Sequence, residues 1–94
     1  MTFILNKRYG GFSLSRFAAD QLGLKSVYDF DGSDLLMVDA LASLIAEYGS
    51  EKCSGSCAKL KVVNIPDNCT DYEVNEYDGV ESITYVVDGK LYHA

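Results

Sequence analysis

The spacing of apolar residues changes period along the chain, and the changes mark its elements. Thr2–Asn6 (TFILN) is a short, nearly continuous apolar run, the pattern of a strand covered on both faces. Lys7–Phe12 (KRYGGF) reads as a loop or tight corner, with two adjacent glycines that suit a close backbone approach. A helical period then sets in. Leu14, Phe17, Ala18 and Leu22 share a face of a helix predicted over about Ser15–Leu22, with Ser15 as its N-cap and Gly23 placed to end it. Leu24–Phe30 is irregular. A longer helix is predicted from about Asp34 to Tyr48. Met37, Val38, Leu41, Leu44, Ile45 and Tyr48 make one wide apolar face, and Asp39, Ser43 and Glu47 the opposite stripe. Gly32-Ser33-Asp34 supplies its cap and Gly49 its stop, after which Ser50–Cys57 (SEKCSGSC) reads as a small, polar, mobile loop.

The remaining third alternates with period two. Leu60–Ile65 reads as a strand that stops at Pro66-Asp67-Asn68. Tyr72–Tyr77 and Glu81–Val87 flank Asp78-Gly79, and a second Asp-Gly, at 88 and 89, precedes Lys90–His93. Asp-Gly between alternating segments signals a tight hairpin, since the turn needs positive φ. The expected order is therefore β-α-α-β-β-β(-β). That is a single α+β domain over residues 1–94, with two helices packed on one face of a mainly antiparallel sheet of four to five strands. The partner of Thr2–Asn6 stays open at this point; a parallel pairing with Leu60–Ile65 would make the helices a right-handed crossover.

Composition narrows the function. With 94 residues, 48% of them apolar, the chain suits one globular core. Fourteen acids against eight basic residues give a net charge of −6, which argues against direct nucleic-acid binding and permits a basic protein partner. No run approaches a membrane span, and no signal peptide is expected, because Lys7-Arg8 follows the short apolar run instead of preceding it. An odd count of three cysteines without an export signal points to free thiols in a reducing compartment.

Candidate chemistry is sparse. Cys53, Cys57, Cys69 and His93 are the residue types of a zinc site, but tight knuckle spacing is missing; a Cys53–Cys57 disulfide is the other alternative to free thiols. Asp29, Asp31 and Asp34 surround Gly32 in an oxygen-rich stretch, yet neither the glycine nor the twelfth residue fits a calcium loop. The one histidine is His93, beside the last residue, so no interior imidazole activates a nucleophile. Lys7–Phe12 is weighed as a backbone anion site without an accompanying phosphate-binding motif. No catalytic residue, cofactor or metal is assigned. What stands out is tyrosine, seven against no tryptophan, with Tyr72, Tyr77, Tyr85 and Tyr92 among the acids of the hairpins. Tyrosine beside carboxylates suits a surface that receives Arg and Lys, and Glu73, Glu76, Tyr77, Asp78 and Glu81 are the expected partner-binding residues.

Three patches, Asn6–Ser15 (NKRYGGFSLS), Leu60–Asp67 (LKVVNIPD) and Glu76–Ile83 (EYDGVESI), together resemble small, mostly uncharacterised proteins encoded by phages and prophages of Gram-positive bacteria. Those share a strand–YGGF–LS opening and an IPD…EYDG-x-E ending; this chain departs in its cysteines and in the added hairpin of Tyr85–Ala94. The resemblance implies a phage protein acting in the cytoplasm of a bacterial host. Small acidic phage proteins often inhibit host enzymes or defence systems, anti-CRISPR proteins among them. The implied function is a non-enzymatic inhibitor of a nucleic-acid-binding effector nuclease. The alternative is a phage regulatory or assembly module acting by protein–protein contact or self-association, its oligomeric state open.

Overall fold

A two-stranded ribbon lies at the centre of the molecule. β1 (Thr2–Asn6) and β2 (Leu60–Asn64) pair antiparallel, with Thr2 opposite Asn64 and Asn6 opposite Leu60. The pairing settles the open partner of the first strand and removes the parallel crossover. The computed structural model describes every residue, Met1–Ala94. Successive strand residues point to opposite faces, so the ribbon has two apolar sides. Ile4 and Leu60 face the helices. Phe3, Leu5 and Val63 face the other way, towards the hairpins. That double coverage is why Phe3-Ile4-Leu5 is a continuous apolar run.

On the first side lie α1 (Arg16–Gln21), α2 (Leu35–Tyr48) and α3 (Ser50–Cys53). The Ser15 hydroxyl accepts from the Ala18 amide at 3.1 Å and caps α1. The Asp34 carboxylate accepts from the amides of Leu36 and Met37 at 3.1 and 3.2 Å and caps α2. Val38 and Leu41 of α2 join Leu14, Ala18, Ala19, Cys53, Ala58, Ile4 and Leu60 in the larger core cluster. The short helix α3 corrects the expectation of a mobile loop over Ser50–Cys57. The Cys53 side chain is fully buried there, and the Ser54 hydroxyl accepts from the Leu60 amide at 2.9 Å and donates to the Ser50 carbonyl at 2.6 Å. A stretch that is polar in composition is fixed by one buried thiol and its own hydroxyls.

The other side of the ribbon carries a second sheet, β3 (Asp71–Tyr77), β4 (Val80–Val87) and β5 (Lys90–His93), antiparallel in the order β3-β4-β5. Both Asp-Gly pairs have positive φ at both residues, 51° and 87° at Asp78-Gly79 and 52° and 76° at Asp88-Gly89, so the expected tight hairpin turns are of type I′. The α+β class and the antiparallel pairing hold. The five strands are divided between two sheets, and the helices cover only the ribbon. The meander rests on the ribbon mainly through β4. Ile83, fully buried, joins Leu5, Val63 and Ile65 in a smaller cluster edged by Phe3, Cys69, Tyr85 and Ala94. Full burial of an isoleucine stabilises by roughly 1.5–3 kcal/mol, which is a small anchor for a sheet of three strands. The packing of Tyr72 on Phe3 adds to it, and polar bonds between the layers add further attachment.

Candidate functional site

Those bonds converge on Asn6, the last residue of β1. Its backbone amide donates to the Glu81 carboxylate at 2.7 Å. Its side-chain amide donates to the carbonyls of Arg8 and Gly79 at 2.8 and 2.6 Å, and its side-chain oxygen accepts from the amides of Lys59 and Arg8 at 2.9 and 3.3 Å. One fully buried side chain thus ties the end of β1, the entry to β2 and the Asp78-Gly79 turn. Lys7 adds to the junction, donating to the Glu81 carbonyl at 2.8 Å and the Ala94 carbonyl at 3.3 Å. Burial there, with Lys61 nearby, pushes the Lys7 ammonium below its usual value, while Glu81 pulls it back up.

The two glycines of KRYGGF serve the same junction. A Cβ on Gly10 would lie 2.8 Å from both Cβ and the carbonyl oxygen of Cys57, and a Cβ on Gly79 would collide with the Gly11 nitrogen. The loop is therefore wedged between Cys57 and the hairpin turn, and the turn fills the space an anion would need at the Gly10 and Gly11 amides.

The structure separates the five expected partner-binding residues. Strand alternation and register put Glu73 and Tyr77 on the outer face of the meander, away from the ribbon, and Glu76 and Glu81 on the inner face with buried Ile83. Asp78 is in the turn. Glu76 and Glu81 stand directly opposite each other, a like-charge pair that would ordinarily destabilise the hairpin. Each has an amide to hold: Glu81 accepts from Asn6, and Glu76 accepts from Gly79 across the turn. These two carboxylates each hold an amide of the fold, while Glu73, Tyr77 and Asp78 are exposed and carry no side-chain hydrogen bond. Tyr72, Tyr85 and Tyr92 also belong to the inner face. Tyr72 packs against Phe3 with ring centroids 5.4 Å apart, and Tyr85 stacks on Tyr92 at the same distance.

The other candidates resolve into local roles. Cys53 is buried, Cys57 exposed and Cys69 half-buried, all three are free thiols, and no three metal-ligating side chains gather anywhere. Around Gly32, Asp31 accepts from the amide and hydroxyl of Ser33 at 2.9 and 2.6 Å, which holds its carboxyl below the usual range. Asp29 accepts from the Ser26 amide, and Asp34 caps α2. Each carboxylate of the oxygen-rich stretch stabilises a turn or a helix end. No helix is long and apolar enough to cross a membrane.

The outer face of the meander holds a feature that the sequence reading missed. A shallow groove of about 130 Å³ runs across it, with Val86 and Leu91 as apolar floor and Asp71 and Glu73 as acidic wall. Leu91 is 64% exposed and Tyr77, further along the same face, 74%. Residues 71–94 carry six of the fourteen acids and, apart from His93, one cation, Lys90, so nearly all of the net charge of −6 resides on this sheet. Alternation alone could have put Asp71 and Glu73 on one face; that Val86 and Leu91 lie beside them follows from the register, Val86 opposite both Asp71 and Leu91. Compared with known proteins, the chain matches no family model, no curated protein and no solved structure.

Proposed function

We propose that the protein is a non-enzymatic inhibitor that binds a basic surface of another protein through the outer face of its β3–β5 sheet. The observation that carries this is the groove itself. An apolar floor beside two unpaired carboxylates receives a lysine or arginine side chain along its whole length, the alkyl stem on Val86 and Leu91 and the charged head on Asp71 and Glu73. The surrounding negative charge would speed encounter with a cationic partner and make binding sensitive to salt. Resemblance to small phage proteins supplies the biological setting: a phage-encoded inhibitor of bacterial defence, an anti-CRISPR protein occupying the nucleic-acid groove of an effector nuclease.

The test is DNA cleavage by purified CRISPR effector nucleases of Gram-positive hosts, titrated with the protein at low and high salt. Inhibition should weaken with salt and be lost in the double variant Asp71→Lys/Glu73→Lys, whose melting temperature should stay close to that of the parent. Normal inhibition by that variant would remove the groove from the reading; absence of inhibition with every effector would remove the target. One observation favours a second reading, self-association. β3 and β5 are both free edges, and β5 is wholly exposed with no acidic residue. A dimer mass in light scattering, abolished by Leu91→Pro, would support that alternative.

A further inference from the structure

A second cleft, of about 550 Å³, opens on the opposite layer, between α3 and the start of β2, and its chemistry is the reverse of the meander's. Arg8 and Lys59 both line it. Neither side chain forms an ion pair or a hydrogen bond within the chain, although the protein is acidic overall. Glu51 is on the lining too and is paired with neither cation. The Ser50 and Ser54 hydroxyls are taken up by the Leu60 carbonyl and the Ser50 carbonyl, but the Ser56 hydroxyl has only a 4.0 Å contact with the Cys57 sulfur, and the Ser56 amide donates to nothing in the protein. Two free cations, a free hydroxyl and a free amide thus border one concavity.

We infer that this cleft binds a small phosphate monoester, a sugar phosphate in chemical class. Arg8 and Lys59 would meet the phosphate, with Ser56 donating to it. The cleft is larger than a bare phosphate fills. Ala58 is the one apolar residue among its lining and no aromatic ring borders it, so it offers hydroxyl-bonding groups, Glu51 among them, and no stacking surface for a nucleobase. The inference is independent of the meander's role, since it involves no residue of β3–β5.

Amide shifts in two-dimensional NMR test it, with the full chain titrated at constant ionic strength by inorganic phosphate, ribose 5-phosphate, ribose and AMP. Ribose 5-phosphate should move the Ser54–Lys59 amides saturably and bind more tightly than phosphate, ribose should leave them in place, and AMP should bind no better than ribose 5-phosphate. Arg8→Ala and Lys59→Gln should each weaken ribose 5-phosphate by about tenfold, the effect of losing one charge-assisted bond, with the rest of the spectrum unchanged to show an intact fold. Unmoved Ser54–Lys59 amides, or saturation that survives the Arg8→Ala/Lys59→Gln double variant, would overturn the site. Markedly tighter AMP binding would overturn the sugar-phosphate class.

Discussion

Asn6→Ala is the substitution that most directly probes how the two sheets are joined. It removes four side-chain hydrogen bonds at one fully buried position, to the Arg8 and Gly79 carbonyls and from the Lys59 and Arg8 amides. The Arg8 groups and the Lys59 amide can turn to water, because both residues are exposed. The Gly79 carbonyl is half-buried and has no second partner in the junction, and such an orphan costs about 1–3 kcal/mol. A loss of about 2 kcal/mol follows. Against a total of roughly 5–14 kcal/mol for a domain of this length, that lowers the melting temperature by roughly 8–16 °C. Asn6→Asp should rescue little, since it restores the acceptor and leaves the Gly79 carbonyl facing a carboxylate. Asn64→Ala is the matched control: Asn64 is on β2, exposed, and bonded only to the Thr2 hydroxyl, so it should cost less than about 0.5 kcal/mol. Urea and thermal unfolding followed by circular dichroism would measure all three. A loss below about 1 kcal/mol for Asn6→Ala would mean that the buried amide is not what fastens the meander, and the account of the junction would fail.

Other consequences can be checked alongside. Gly79→Ala should destabilise more than Gly89→Ala by upwards of 1 kcal/mol in urea midpoints: both turns have positive φ, but only at Gly79 would the new Cβ strike another backbone, that of Gly11. A colorimetric thiol reagent should modify Cys57 promptly, Cys69 more slowly, and Cys53 only at the rate of unfolding. Burial pushes the Cys53 thiol up, with Lys52 opposing. The unfolded thiol therefore ionises first, and as pH rises past the ordinary thiol value of about 8.5 the unfolded state gains at the folded state's expense. Stability should fall over that alkaline range, and Cys53→Ala should flatten the fall.

The legible parts of this fold are the ones set by local rules. Both I′ turns were readable because Asp-Gly can supply two positive φ angles where few pairs can, and both main helices because a cap residue precedes each apolar stripe. The division into two sheets was not readable. The junction between them rests on Asn6, one polar residue ending an apolar strand, and nothing local distinguishes an asparagine whose side chain bonds Lys59 and Gly79 far along the chain from one that bonds only its neighbour Arg8. Burial of Cys53 was hidden for a similar reason, since its neighbours in sequence are polar while in space it belongs to the core cluster that includes Leu14, Leu41 and Leu60. For the candidate surface, closeness along the chain and placement on one face are set by different things, and the second follows the period of two. Glu73, Glu76 and Glu81 are close along the chain, but 73 falls on the opposite face from 76 and 81. Asp71 belongs with Glu73, and a count of two would have grouped them.

The three patches singled out in the sequence meet in space at the Asn6 junction: Asn6 pairs with Leu60 at the entry to β2 and bonds Gly79 and Glu81, and the Gly11 backbone packs against the Gly79 turn. Those residues are occupied in holding hairpin to ribbon, so they specify an architecture and leave little side-chain chemistry for a partner. The groove residues Asp71, Glu73, Val86 and Leu91 lie outside every patch. A chain that kept the patches and changed the groove would keep this fold while meeting a different surface, so similarity in the patches predicts shared structure and makes no statement about a shared target. The two kinds of residue separate in an experiment. Asp71→Lys/Glu73→Lys should alter binding at unchanged stability, and Asn6→Ala should alter stability first, with binding lost only in proportion to the unfolded fraction. If Asn6→Ala abolished binding while the protein remained folded, the junction itself would be part of the contact surface and the separation would be wrong.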